Sequence, residues 1–131
     1  KTEKLKTVAA VIWKNGRVLL QRQPLRARWG GLWVFPQWIH RNGAAEKDFL
    51  AAKLKEGWGI RIRGLRFKTK IEHSFTKYRV ELHVYEGGVG AGLKPVPTTE
   101  YNTKWFRPKR LSRLPFPRPH QRIAQGITGH A

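Results

Sequence analysis

An α+β domain, a mixed and curved β-sheet with two helices packed on it, is the fold this sequence encodes. Three observations lead there. Apolar and polar residues alternate with a period of two over Ile60–Ile62, Leu65–Ile71 and Tyr78–Tyr85, as in half-buried strands. Only two stretches carry helical spacing. The 131 residues are 40% hydrophobic and 11% aromatic, enough for one core and too short for two.

In chain order, Thr7–Trp13 is an apolar, β-rich run. Asn15-Gly16 follows, a strong hairpin signal, and Arg17–Gln21 reads as the return strand. Pro24–Gly31 is a loop rich in Arg and Gly, and Leu32–Phe35 a short strand stopped by Pro36. Trp33 and Phe35 share a face of it and are assigned to the core; Trp29 and Trp38 sit at loop edges. Asn42-Gly43 is turn-like, with Asn42 a candidate cap for a helix over Ala45–Glu56. That helix aligns Phe49, Leu50, Leu54 and Trp58, and Gly57 and Gly59 end it. Ile60–Ile62 and Leu65–Ile71 read as strands. Tyr78–Tyr85 alternates, with Tyr78, Val80, Leu82 and Val84 on one face, so a turn at Phe75–Lys77 joins two antiparallel strands. Gly87–Gly92 and Pro95–Thr99 read as loop, Trp105-Phe106 as a short strand, Arg107–Leu114 as a turn or short helix, and His120–Ile127 as the last helix.

The charge selects a class of partner. There are 27 Lys and Arg against 8 Asp and Glu, a formal net charge of +19. Nucleic acid is the expected partner, because each neutralised phosphate releases condensed counterions. The cations are spread along the chain, which points to a folded basic surface rather than a tail. No apolar run is long enough to span a bilayer, and no signal peptide is recognisable. A cytoplasmic, nucleoid-associated bacterial monomer is the expectation. With no Cys, the chain has no disulfide, zinc–thiolate site or cysteine nucleophile. The five His lack metal-ligand spacing, and Gly87–Gly92 lacks the Lys-Ser/Thr of a phosphate loop. Neither a catalytic residue nor a metal ligand is assigned. Met is also absent, position 1 included, so Lys1 is read as lying inside a longer protein.

The order strand, Asn-Gly hairpin, strand, Arg/Gly loop, Leu-Trp-x-Phe-Pro, helix, Gly-x-Gly-Ile resembles a Nudix fold, with its α/β/α layers. Laid on this chain, that family's glycine-to-glycine box runs from Trp38 to Gly59. Its first glutamate falls on Ala44, its Arg-Glu pair on Ala52-Lys53 and its Glu-Glu pair on Glu56-Gly57. Only Leu54, Glu56, Gly59 and Ile60 fit. A Nudix hydrolase holds Mg²⁺ on several helix carboxylates, and one carboxylate beside a lysine is not such a set.

Trp29–Gln37, Trp-Gly-Gly-Leu-Trp-Val-Phe-Pro-Gln, is similar to a segment of the C-terminal domain of MutY-type adenine DNA glycosylases. His73–Lys77 resembles that domain's H-x-F-(S/T)-H loop. The ending, Trp105-Phe106 through Leu111–Pro117 to His120 and Ile123, resembles its closing stretch. Together these cover about Thr7 to Ile127. The resemblance implies a domain that binds duplex DNA and recognises 8-oxoguanine opposite adenine, with base excision left to an N-terminal glycosylase domain. It places the lesion-reading element on Phe75, Thr76 and Lys77, flanked by His73 and Tyr78; Lys77 departs from the family's His. Arg26, Arg28, Arg66, Lys68, Lys70 and Arg79 are the candidate phosphate contacts, from charge and position. No cofactor is expected in this chain; a 4Fe–4S cluster would belong to the part before it. The alternative is a stand-alone Nudix pyrophosphohydrolase with a relocated metal site, in which Glu56 works with Glu46, Asp48 or Glu72.

Overall fold

The computed structural model describes residues 3–41, 45–89 and 102–128. Its centre is β1 (Glu3–Lys14), whose residues from Thr7 to Ile12 are buried without interruption. A strand reads as one continuous apolar run when both its faces are covered. Val8, Ala10 and Ile12 point to one core, shared with Leu50, Leu54, Trp58 and Tyr85. Ala9 and Val11 point to the other, shared with Phe35, Leu82, Val84, Ile123 and Ile127. One helix therefore covers each face of the sheet.

The Asn15-Gly16 hairpin forms as expected. Asn15 (φ 51°) and Gly16 (φ 74°) are both left-handed, and Lys14 pairs with Arg17 at the head of β2 (Arg17–Arg22). A two-residue turn with both centres at positive φ matches the twist of the strands it joins. β3 is only Trp33–Val34, shorter than the expected Leu32–Phe35, and pairs with β2. Phe35 beyond it is fully buried, while Trp33 is half-buried and sets its edge on Phe106 at 5.0 Å. β4 (Gln37–Ile39) is an element that the stop at Pro36 concealed; it runs antiparallel to β1, with Val8 opposite Trp38.

Helix α1 (Glu46–Trp58) buries Leu50, Leu54 and Trp58 and leaves Phe49 partly buried. Its cap position is Ala45, without a side-chain cap; Asn42 lies outside the described residues. Gly59 (φ 67°) ends the helix, with its N–H donating to Lys55 O and that of Ile60 to Leu54 O. Such crossed bonds satisfy the last carbonyls of a helix.

Two expectations need correction. The separate strands Ile60–Ile62 and Leu65–Ile71 are one strand, β5 (Ile62–Phe75), which absorbs its irregularity in register shifts between Arg63 and Arg66 and between Phe67 and Thr69. Gly87–Val89 are not loop but the end of β6 (Tyr78–Val89). A side chain at Gly87 would meet Arg63 O and Ile62 Cγ1, both 2.8 Å from its Cβ, so glycine there lets the bulged strand come close. The rest of the loops read at Gly87–Gly92 and Pro95–Thr99 lies outside the described residues.

β6 runs antiparallel to β5 and parallel to β1, with Glu3 opposite Tyr78 and Trp13 opposite Gly88. β7 (Thr103–Phe106) pairs with β2, a 3₁₀ turn spans Pro108–Arg113, and α2 (Arg118–Thr128) closes the second face. The sheet order is β3-β2-β1-β6-β5, with β4 on β1 and β7 on β2. This is the mixed sheet between helices expected from the sequence, and the turn or short helix read at Arg107–Leu114 is the 3₁₀ turn.

Candidate nucleic-acid interface

The β5–β6 connection is a two-residue turn, Thr76-Lys77, closed by pairing of Phe75 with Tyr78. Thr76 is left-handed, φ 49°, a conformation that a β-branched residue seldom takes. Both turn residues are exposed, His73 and Tyr78 half-buried. The Phe75 side chain lies outside what the structure describes. The tip is tied to the sheet through Lys77, whose carbonyl accepts from Glu3 N–H at 2.9 Å. Lys77 Nζ lies 3.6 Å from Glu3 Oε2 and 5.6 Å from the Tyr78 ring centroid. With both partners exposed, that ion pair holds Lys77 weakly.

One other element meets the hairpin stem, and a loop brings an arginine near it. From α2, Arg122 donates to the Glu72 carbonyl at 3.2 Å. From the Pro24–Gly31 loop, Arg28 places its guanidinium 4.2 Å from the Trp29 ring centroid. Burial lowers the His73 pKa, and the charges of Arg28 and Arg122 lower it further. Arg28 and Arg122 thus lie near enough to His73, three residues before Thr76, for their charges to act on it. Arg122 was visible in the sequence only as one cation among many.

Near His73 and Arg28 lies His120, fully buried. Its Nδ1 accepts from Phe35 N–H at 3.0 Å, and its Nε2 lies 2.6 Å from Gln37 Oε1. Trp29 sets its edge against the same ring at 5.5 Å. Burial, then the charges of His73 and Arg28, drive its pKa down to about 3. The neutral tautomer that accepts at Nδ1 donates from Nε2, so both bonds are satisfied at once. His120 therefore clasps the Trp29–Gln37 segment onto α2.

The remaining candidate cations are dispersed. Arg26 and Arg79 are exposed. Lys70 pairs with Glu72 at 3.6 Å. Arg66 and Lys68 share Glu86, at 3.0 and 3.6 Å, about 30 Å along β5 from the tip at roughly 3.3 Å per residue. Arg28 thus lies near the stem at His73, and Arg66 and Lys68 far along β5 from the tip.

A family model described as the NUDIX domain matches residues 7–126. The chain belongs to the NUDIX domain family. Among solved structures, this domain is similar to the MutT protein from Methanosarcina mazei Go1, with TM-score 0.81 and 19% identity over 99% of this chain and 96% of that one. It is similar to the MutT NUDIX hydrolase from Burkholderia pseudomallei, with TM-score 0.74 and 22% identity over 95% and 98%. It is also similar to the C-terminal domain of mouse MUTYH, solved in complex with human PCNA, with TM-score 0.70 and 15% identity over 98% and 90%. These likenesses are of fold. No curated protein matches the sequence.

The Nudix box segment does not fit the Mg²⁺ that a Nudix hydrolase uses. Position 44 lies outside the described residues and is Ala by sequence. Position 53 is Lys, its Nζ 5.7 Å from the Phe49 ring centroid. At position 57 the box's last carboxylate is replaced by Gly57, exposed on α1, with Trp38 Cζ2 at ordinary contact distance, 3.8 Å from where a Cβ would stand. Glu56 alone remains, exposed on α1. Relocation does not restore the set. Glu46 lies about 15 Å along the helix from Glu56, at roughly 1.5 Å per residue. Its Oε1 accepts from Tyr85 OH at 2.7 Å and faces His83 Nδ1 at 2.8 Å, and its Oε2 meets Lys6 Nζ at 2.9 Å. Burial opposes its ionisation, but these three partners outweigh burial and hold its pKa at about 2. Glu46 is a structural carboxylate, already saturated. Among the described residues, no group of three or more His, Cys, Asp or Glu is placed to hold a metal.

Proposed function

We propose that this Nudix domain binds duplex DNA and reads 8-oxoguanine opposite adenine, as part of a MutY-type adenine DNA glycosylase. The observation that carries the reading is the hairpin tip. A left-handed Thr76 is presented at the end of two long strands, next to Lys77, with Arg122 on the stem below it at the Glu72 carbonyl. The oxidised base differs from guanine by O8 and by N7–H, one acceptor and one donor. A threonine hydroxyl both donates and accepts, so a single side chain can respond to both changes. Lys77, where the family has His, supplies a cation toward a phosphate instead of a flat ring. The missing box carboxylates support a binding role over hydrolysis, while the fold is shared with the mouse MUTYH domain and the MutT proteins alike. In this reading the adenine is flipped and excised by a glycosylase domain of the same protein, which acts on the base outside the stack.

The test is the affinity for 8-oxoguanine:adenine and guanine:adenine duplexes before and after Thr76→Ala. The preference for the lesion should shrink by about fivefold, one hydrogen bond of ~1 kcal/mol. An equal loss on both duplexes would reduce Thr76 to a structural turn residue.

The second reading, a nucleotide pyrophosphohydrolase, draws on the MutT-type structures, which this chain matches over nearly their whole length. It requires phosphate release from nucleoside triphosphates with Mg²⁺ or Mn²⁺, abolished by Glu56→Gln. Absence of turnover with both metals removes it.

A further inference from the structure

The most exposed large hydrophobic side chain among the described residues is Leu25, at 84%. A lone exposed leucine needs no explanation. Leu25 is different because of the loop that carries it, Pro24–Gly31, which is closed and held at every turn. Ala27 N–H donates to Pro24 O at 3.0 Å, Gly31 N–H to Gln23 O at 2.9 Å, and Leu32 N–H to Trp29 O at 3.0 Å. Arg22 Nε reaches Gly31 O at 3.3 Å. Trp29 is left-handed, φ 63°, strain that its contacts with His120 and Arg28 offset. At Gly30 any Cβ would collide with the Leu25 carbonyl, so the chain folds back on itself only because this residue is glycine. At Gly31 a Cβ would stand 3.4 Å from Leu25 Cδ2. A strained, fastened loop thus holds an apolar side chain out in solvent. Exposed Arg26 and Arg28 flank it, and the loop and the hairpin stem both rest on α2, through Trp29 on His120 and Arg122 on the Glu72 carbonyl.

We propose that the Pro24–Gly31 loop is a second duplex-contacting element, in which Leu25 acts as an apolar wedge against a base step while Arg26 and Arg28 engage the flanking phosphates. The occupant is duplex DNA rather than a protein groove because cations surround the leucine on a chain of net charge +19. Proteins that kink DNA insert such apolar wedges between base steps. Partial unstacking beside the lesion would give the Thr76 hydroxyl room to reach the altered edge of the base. The inference rests on the DNA-binding reading above and adds a residue to it.

The test uses the 131-residue chain and duplexes carrying 2-aminopurine next to 8-oxoguanine. Wild type should bind with a rise in 2-aminopurine fluorescence, the sign of unstacking. Leu25→Ala should weaken binding about tenfold, the worth of one buried leucine, and abolish the rise. It should leave the salt slope and the melting temperature unchanged. Leu25→Phe should keep the rise. Arg28→Gln should instead flatten the slope of log affinity against log salt by about 0.9. If wild type prefers the lesion duplex while Leu25→Ala binds and fluoresces like it, the wedge is overturned and the DNA reading stands. If wild type does not bind duplex DNA, both fall.

Discussion

His120 ties together parts of the molecule that are distant in sequence, and its protonation state sets a pH dependence. Its native pKa of about 3 lies below the ordinary value of 6.5. The unfolded chain therefore binds the proton first as pH falls, and stability drops from about pH 6.5 down toward pH 3. His73, shifted in the same direction, adds to that window. Glu46 acts in a lower one. Its native pKa of about 2 lies below 4.5, so its contribution is complete above pH 4.5 and is lost between there and about pH 2. Urea unfolding across pH should show both declines. His120→Ala should cost about 2 kcal/mol at pH 7 by orphaning the Phe35 N–H, and should shrink the upper decline while leaving the lower. An unchanged upper decline would mean that His120 does not stay neutral in the fold. In the sequence, His120 and Gln37 were visible only as members of resembling segments. Their bond joins residues 83 apart, and no local pattern encodes it.

At the scale of elements, the sequence revealed strands by alternation and hid them where backbone geometry took over. β1 was legible as an unbroken apolar run, and β2, β6 and α1 carry their burial in their periodicity. β5 was read as two pieces because Gly64, left-handed at φ 65°, interrupts the pattern; the strand continues through it with shifted register. Gly87-Gly88 looked like loop because glycine is common there. Its role in the strand is to admit the Arg63 backbone, which shows only in three dimensions. Gly87→Ala should therefore destabilise the protein by about 1–3 kcal/mol through overlap with backbone. Thermal denaturation checks this, and a neutral result would place β5 farther from β6 than described. The Nudix box is the opposite case. Its missing carboxylates were plain in the sequence, but the approach of the Trp38 indole to the helix at Gly57 was not, because Trp38 was left at a loop edge without a strand to hold it.

For the whole molecule, the surplus of cations is the leading fact. The described carboxylates that might offset it are mostly engaged: Glu46 with Lys6 and His83, Glu86 with Arg66 and Lys68, Glu72 with Lys70. The field outside the protein is therefore strongly positive, and the affinity for any duplex should fall steeply with salt. Charge alone makes the domain sticky without making it selective. In the proposed reading selectivity comes from the tip, where a neutral hydroxyl would meet a base edge, and neutral contacts are little affected by screening.

The two contributions separate in one measurement: the ratio of affinities for 8-oxoguanine:adenine and guanine:adenine duplexes, taken at several salt concentrations. The account predicts that each affinity falls with salt while their ratio stays above one and constant. A ratio of one at every salt concentration would contradict it, leaving a basic Nudix domain that binds DNA by charge and does not read the lesion.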